Sequence, residues 1–168
     1  GAVIGAVVIG PMSDRFGRKR LLLLSAVIFF VGALGSGLSN SAELLIISRV
    51  ILGMAVGSAS ALVPTYLSEL SPAKIRGGVS TMFQLIMTGI LLAYISNYAL
   101  KGVSGNWHWM LGLATVPAAL LFIGGLFLPE SPRFLVRHDN EAGAREILGM
   151  INDDPNSIEA EISDIQLM

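Results

Sequence analysis

The chain has 168 residues, 53% of them hydrophobic and only 14% charged, with a mean hydropathy of +0.69, which is too apolar for an ordinary water-soluble domain. It has no cysteine, which excludes disulfide frameworks, thiolate metal sites and thiol nucleophiles. With 11 Lys and Arg against 12 Asp and Glu the formal net charge is −1, so no overall field draws the chain to nucleic acid.

The charge is unevenly spread. Residues 1–128 carry eight bases and three acids, whereas 129–168 carry three bases and nine acids. The first part reads as a transmembrane bundle and the second as cytoplasmic amphipathic helices. A helix rising about 1.5 Å per residue needs roughly 17–25 apolar residues to cross about 30 Å of hydrocarbon. Residues 1–12 are apolar but too short, and without an initiator Met or a charged signal-peptide start they read as the end of a helix that begins before Gly1. Gly10 to Lys19 then reads as a tight reverse turn flanked by Asp14 and several bases. Four full spans follow, at 21–38, 44–67, 79–98 and 110–128.

If the five segments alternate, nine bases fall on one side: Arg15, Arg18, Lys19, Arg20, Lys74, Arg76 and the three of the tail. The other side keeps Lys101, and Arg49 lies within a span. The excess of Lys and Arg marks the cytoplasmic side, which places loops 13–20 and 68–77 and the tail 129–168 there, in a multi-pass protein of the cell membrane.

Small residues interrupt the spans. Gly53-Met-Ala-Val-Gly57, continued by Ala61, offers a face for close helix approach where lipid supplies no hydrophobic drive. Arg49 lies on that same stripe, which predicts a buried, partnered side chain, with snorkelling to the outer headgroups as the alternative. Gln84, with Thr88 one turn on, places an amide inside a span. An amide suits the hydroxyls of a neutral polyol and equally suits an interhelical hydrogen bond; both readings predict a bundle interior. Trp107, Trp109, Tyr94 and Tyr98 fit an interfacial belt. His108 and His138 lack a second ligand at helical spacing, and neither a hydrolase triad nor a phosphate-binding glycine loop is present. No catalytic residue, metal or cofactor is expected.

Three signatures carry paired charges at the basic side: Gly10 to Lys19; Pro64-Thr-Tyr-Leu-Ser-Glu69 with Arg76-Gly77 downstream; and Pro129-Glu-Ser-Pro-Arg133, where prolines end one helix. Such charges can tie helix ends together in one conformation and release them in another, the alternative being the positive-inside bias with incidental acids.

Together these signatures resemble the sugar porter family of the major facilitator superfamily. The Gly10–Lys19 segment is similar to the superfamily's loop between helices 2 and 3, and Arg49-x-x-x-Gly53-x-x-x-Gly57, Glu69 with Arg76-Gly77, Gln84-Leu85 and Pro129–Arg133 are similar to sugar porter patterns. The resemblance implies an all-α membrane protein: the N-terminal bundle from the end of helix 2 through helix 6, then the start of a cytoplasmic helical domain. It implies a secondary transporter that moves a hexose or pentose by alternating access, as a proton symporter, its partners being the sugar, a proton, the bilayer and the missing C-terminal half. It further implies sugar contact by Gln84, Met87 and Leu91, and proton coupling or gating by Arg49, Asp14, Arg18, Glu69, Arg76, Glu130 and Arg133. Arg49 is expected to face helix 1. Asp14 is expected to order its own loop or meet a helix N-terminus, the other five loop charges to form a gate latch. The alternatives are a uniporter, a polyol, inositol or drug transporter, and, in another class, a membrane scaffold subunit. An intramembrane enzyme would need clustered acids or histidines, which the spans lack.

The tail has two apolar stripes at helical spacing. Asn140 stands as an N-cap before Ala144, Leu148 and Ile151; Ile158, Ile162 and Ile165 follow Ser157.

Overall fold

The structure, a computed structural model, describes residues 1–70, 83–102, 104–138 and 140–151, together with 158, 159, 162, 163 and 165. Among these there are helices and no strands: α1 (Ala2–Phe16), α2 (Arg18–Gly37), α3 (Ala42–Leu70), α4 (Phe83–Ala99), α5 (Asn106–Gly112), α6 (Thr115–Phe127), α7 (Pro132–Arg137) and α8 (Glu141–Ile151). A single 3-10 turn, Leu100–Gly102, follows α4. Three stretches among the described residues are long and apolar enough to cross a bilayer: α2, α3, and Trp107–Phe127, which combines α5 and α6. Leu113 and Ala114 between those two keep right-handed helical backbone. Pro117 lacks the N–H that would reach the Leu113 carbonyl, and Val116 N bonds that carbonyl instead at 3.1 Å, so the span is one helix with a proline kink.

What the helices bury explains why they hold together in lipid. The buried face of α2 is Leu21, Leu22, Ser25, Ala26, Gly32, Ala33 and Ser36, mostly small or hydroxylated, while Leu24, Val27, Val31 and Leu34 point outward at a spacing of three and four residues. Large apolar side chains outside and small ones inside are the reverse of a water-soluble helix. The arrangement suits a solvent as apolar as leucine, where contact rather than water exclusion brings helices together. A Cβ at Gly57 would collide with the Ala2 backbone, and one at Gly32 would lie 2.9 Å from Leu52 N. The Gly53–Gly57 motif is therefore a seat for α1.

The registers of these contacts give the directions. Along α1 and α3, Ala2 meets Gly57, Gly5 O accepts from Ser58 Oγ at 3.3 Å, and Ile9 packs with Leu62, so the two run parallel. Along α2 and α3, Gly32 meets Leu52 and Gly35 meets Ser48; along α2 and the last span, Gly37 meets Gly112 and Leu23 meets Gly125. Those pairs are antiparallel. The C-terminal ends of α1, α3 and α6 thus gather with the start of α2, which brings together Asp14, Arg18, Glu69 and Glu130.

Several boundaries differ from the sequence reading. The helix of residues 1–12 continues through Pro11 to Phe16, because one missing N–H in a long helix is a local loss, and the reverse turn shrinks to Gly17. Gly17 has φ 92° and ψ 149°, a region essentially reserved to glycine that an L side chain enters at about 1–3 kcal/mol, and a Cβ there would lie 2.6 Å from Glu130 Oε2. Only glycine fits. The span of 44–67 extends to Leu70, and its 29 residues rise about 44 Å, beyond the hydrocarbon, which places Glu69 at the rim. Residues 79–82, the start of the fourth expected span, lie outside the described residues.

The tail matches its expected pattern. Asn140 Oδ1 accepts from Gly143 N at 3.1 Å, capping α8. Ala144, Leu148 and Ile162 are buried with Val136 of α7, and Ile158 and Ile165 pack on them. Arg145 pairs with Glu159 at 3.2 Å across the two tail helices.

α4 differs from all of these. Met87, Leu91, Tyr94, Ile95 and Tyr98 are well exposed along one face and Ile90 and Leu92 are exposed on others, and its main contacts among the described residues are with the 3-10 turn that follows it. The bundle interior expected for this segment is not formed by the described residues.

Candidate functional site

The polar centre of the molecule lies where α1, α2, α3 and α7 meet. Arg18 opens α2 and is buried, and so is Glu69 near the end of α3; their side chains are 8% and 5% exposed. Arg18 Nη2 donates to Glu69 Oε1 at 3.2 Å and stands 3.0 Å from Asp14 Oδ1, while Nη1 donates to Ser13 O at 3.3 Å. Arg18 Nε lies 3.2 Å from Glu69 Oε2, near enough for Coulomb attraction, but its N–H is not aimed at that oxygen and has no other acceptor. The other side of Glu69 Oε2 accepts the Ser131 hydroxyl. An ion pair this deep gains little net energy, because desolvation offsets attraction, yet removing one partner strands the other at about 3–5 kcal/mol.

Glu130 plays a different part. Its Oε1 accepts from Lys19 N at 3.0 Å and from Ser131 N at 3.0 Å. Lys19 is the second residue of α2, whose first amides have no partner within the helix. A carboxylate from the turn between α6 and α7 therefore caps α2 at its positive end. Among the described residues, Glu130 meets these amides rather than a charged side chain, and Asp14 meets charged side chains rather than a helix N-terminus. Asp14 pairs with Arg18 one turn along and with Arg137 of α7 at 3.5 Å.

Pro132 occupies the start of α7, where its missing N–H costs nothing. Ser131 precedes it as N-cap, but its hydroxyl goes to Glu69 rather than to its own helix. The Tyr66 hydroxyl donates to Pro129 O, and the Lys19 ammonium to Leu126 O at 3.0 Å. These contacts fasten the end of α6 to α2 and α3.

Of the expected gating residues, the structure joins Asp14, Arg18 and Glu69 directly and places Glu130 beside them. Arg133 is half-buried and has no hydrogen bond or ion pair among the described residues. Arg76 lies outside the described residues, as does the side chain of Gln84. Arg49 is exposed and no described residue pairs with it, so the expected burial is not met; it stands one helical turn before the Gly53–Gly57 seat of α1. Met87 and Leu91 are 68% and 58% exposed. Four participants escaped the sequence reading: Ser131, Tyr66, Lys19 and Arg137. Ser131, Tyr66 and Lys19 stand inside the quoted signatures, and Arg137 follows Arg133 at four residues, on the same helix face.

Two cavities accompany the bundle. One of about 610 Å³ sits at the opposite end, lined by Leu34, Leu38, Trp109, Leu113 and Val116. Its polar side chains are largely committed, His108 Nδ1 to Gly37 O at 2.7 Å and Thr115 to Gly112 O, so it offers little to a sugar. The other, of about 200 Å³, is lined by Arg18, Glu69, Arg133, Arg137 and Ile165.

Comparison with known proteins gives this arrangement its setting. The family model described as "Sugar (and other) transporter" matches residues 1–168. The chain belongs to the sugar transporter family. Like the porters it matches, it is a piece of a transporter fold and not an enzyme. It is 62% identical over 168 residues to a D-xylose transporter of Levilactobacillus brevis, covering 99% of this chain and 37% of that protein. It is 44% identical over 167 residues to the galactose-proton symporter of Escherichia coli K12, covering 99% and 36%. A structure of the xylose transporter XylE from E. coli, partially occluded and inward open, superposes with a TM-score of 0.91 at 31% identity, covering 99% of this chain and 45% of that one. The chain thus spans between a third and a half of the sugar porters it matches, and corresponds to the N-terminal helical bundle of the major facilitator fold.

Proposed function

We propose that this chain is the first bundle of a secondary transporter that carries a monosaccharide, a hexose or pentose, across the cell membrane by alternating access, coupled to proton entry. The observation that carries the reading is the 62% identity over the whole chain to a D-xylose transporter, reinforced by 44% identity to galactose-proton and arabinose-proton symporters. In an alternating-access carrier two bundles rock about a midplane site. Here the missing C-terminal half faces α4, whose exposed surface carries Met87 and Leu91. Those two give apolar contact to the carbon face of the sugar, and Gln84 hydrogen-bonds a hydroxyl. Arg49 faces the helix that precedes α1, where an acid takes up the coupled proton.

The charged end lies in the cytoplasm, as the bias of Lys and Arg requires, and acts as the inner gate latch. With α2, α3 and α7 held through Arg18, Glu69 and Ser131, the inner ends stay together and the outward-facing state is favoured. Arg76 and Arg133 add contacts to the other half.

The test is uptake of radiolabelled D-xylose, D-galactose and L-arabinose by proteoliposomes holding the full transporter, with and without an imposed proton gradient. Accumulation of at least one sugar that collapses with the gradient is expected. Equilibration without accumulation would make the protein a uniporter, and uptake of a polyol alone would move the substrate class. For the latch, an accessibility label at the inner mouth should report a larger inward-open population in Glu69→Gln. Unchanged labelling with lost transport would sink the latch.

A further inference from the structure

We infer that the 610 Å³ cavity at the end opposite the charged cluster holds one acyl chain of a phospholipid, with the ester group of that chain at its mouth. One wall is the end of α2, with Leu34, Gly37 and Leu38, and the other is the first half of the last span, with Trp109, Leu113 and Val116. That the leaflet is the outer one rests on the cytoplasmic placement of the charged end proposed above; the site itself does not.

The backbones explain why a cavity stands here. A Cβ at Gly37 would lie 2.8 Å from Gly112 Cα, so the two spans touch at glycine. Leu34 and Leu38 flank that contact four residues apart, on one face of the chain. On the opposite wall the kink at Pro117, next to Val116, interrupts the regular ridge of side chains that would otherwise interdigitate with α2.

The chemistry of the lining selects the occupant. Among the described residues no Asp, Glu, Lys or Arg lines the cavity. Two of its polar side chains are spent locally, His108 Nδ1 donating to Gly37 O at 2.7 Å and the Thr115 hydroxyl to Gly112 O. A ligand reaching inward therefore meets hydrocarbon, and water would find few partners there. Asn40 differs, because it lines the cavity and is exposed. Its amide carries two donors, which suit the carbonyl of an ester.

The surroundings supply such a molecule. Leu34, Leu38, Leu113 and Val116 are themselves exposed, and Val27 and Val31 continue the same apolar surface along α2, so the cavity opens onto the face that two membrane-crossing helices present to the bilayer. Trp109, well exposed at its rim, belongs at the depth where headgroups meet chains. The volume lies within the about 300–1,000 Å³ of small-molecule sites. The other half of the transporter, set against α4 above, and the helix set against Arg49 are both assigned to other faces.

The experiment uses the full transporter in phosphatidylcholine nanodiscs that contain a phosphatidylcholine with a diazirine on one acyl chain. After illumination, labelled peptides are mapped by mass spectrometry. Labelling of residues 34–40 and 109–116 is expected to exceed that of the α2 face at Val27 and Val31 about tenfold. Val116→Trp fills the cavity from an exposed position and is expected to remove that excess; Leu38→Trp, from the other wall, is expected to do the same, so that loss of one variant to misfolding leaves the test standing. Val27→Trp, outside the cavity, should leave it intact, and Asn40→Ala should lower it about threefold. A phosphatidylglycerol probe should give the same pattern, since no charged side chain lines the site. Uniform labelling of the whole apolar surface would reduce the cavity to passing lipid contact and overturn the proposal. So would absence of label at the cavity, as when protein covers it, or labelling indifferent to both tryptophan variants. Labelling by phosphatidylglycerol alone would make the headgroup and not the chain the recognised part, and a dimer dissociated by Val116→Trp would make a second copy the occupant; either result overturns the proposal. Sugar uptake enters none of these readouts, so the failure of the transport reading and the failure of the lipid site are told apart.

Discussion

α3 and α4 are both apolar helices of a membrane protein, and they meet their surroundings in opposite ways. α3 buries Ser48, Ala55, Gly57, Leu62, Tyr66 and Glu69 against α1, α2 and α7. α4 leaves Met87, Leu91, Tyr94 and Tyr98 in the open. Among the described residues, the two differ in where small side chains meet a neighbour. Gly53 and Gly57 let a neighbouring backbone sit on α3, whereas around Gly89 of α4 a Cβ would meet nothing within 4 Å. In lipid, an apolar surface is not by itself a reason to associate; a fitted one is.

The largest effect should come from filling the seat. Gly57→Leu places a side chain where the Ala2 backbone stands, and little or no folded full transporter should survive size-exclusion after extraction. Gly89→Leu on α4 serves as the control and should be recovered normally. Equal recovery of the two would erase the contrast between the helices.

Next is the buried pair. Glu69→Ala leaves Arg18 with only Asp14, at a cost of about 3–5 kcal/mol in stability, which a thermal melt of the full transporter should register. Replacing both residues, by Arg18→Met with Glu69→Leu, should recover much of that loss, because the stranded charge is gone. A double variant as unstable as the single one would mean that packing at Glu69, and not charge, sets the stability of this end.

Gly17→Ala should cost somewhat less, about 1–3 kcal/mol for the positive-φ extended backbone, plus displacement of Glu130 from the α2 amides. Glu130→Gln in the Gly17→Ala background should then add little, since the capping carboxylate has already been displaced. A full additive loss would show that the alanine is accommodated without moving it.

The smallest stability effect is expected where the functional one is greatest. Met87→Ala on α4 should change stability by no more than about 0.5 kcal/mol, as for exposed positions generally, while sugar binding to the full transporter weakens. A melt shifted as far as that of a core variant, with binding intact, would place Met87 in a packed interface instead of beside the sugar.

The spans, the basic end and the two amphipathic tail helices were legible in the sequence because each depends on composition or period alone. Residues 21–38 must be a span whatever lies beside them, and Asn140 before Ala144 and Leu148 caps and patterns α8 without reference to α2. Four of the five residues expected for the latch, Arg18, Glu69, Glu130 and Arg133, do gather at one end. What could not be read was the partner of each. Ser131 looks like an ordinary N-cap yet gives its hydroxyl to a carboxylate 62 positions earlier. Glu130 looks like half of an ion pair yet caps a helix 111 positions away. Arg49, on a stripe that promised burial, is exposed among the described residues. Hydrophobic length and charge bias act on each segment independently, so sequence fixes them. Hydrogen-bond partners and close backbone contacts depend on the register between helices, which small residues far apart in the chain decide jointly, and only the tertiary structure records that decision.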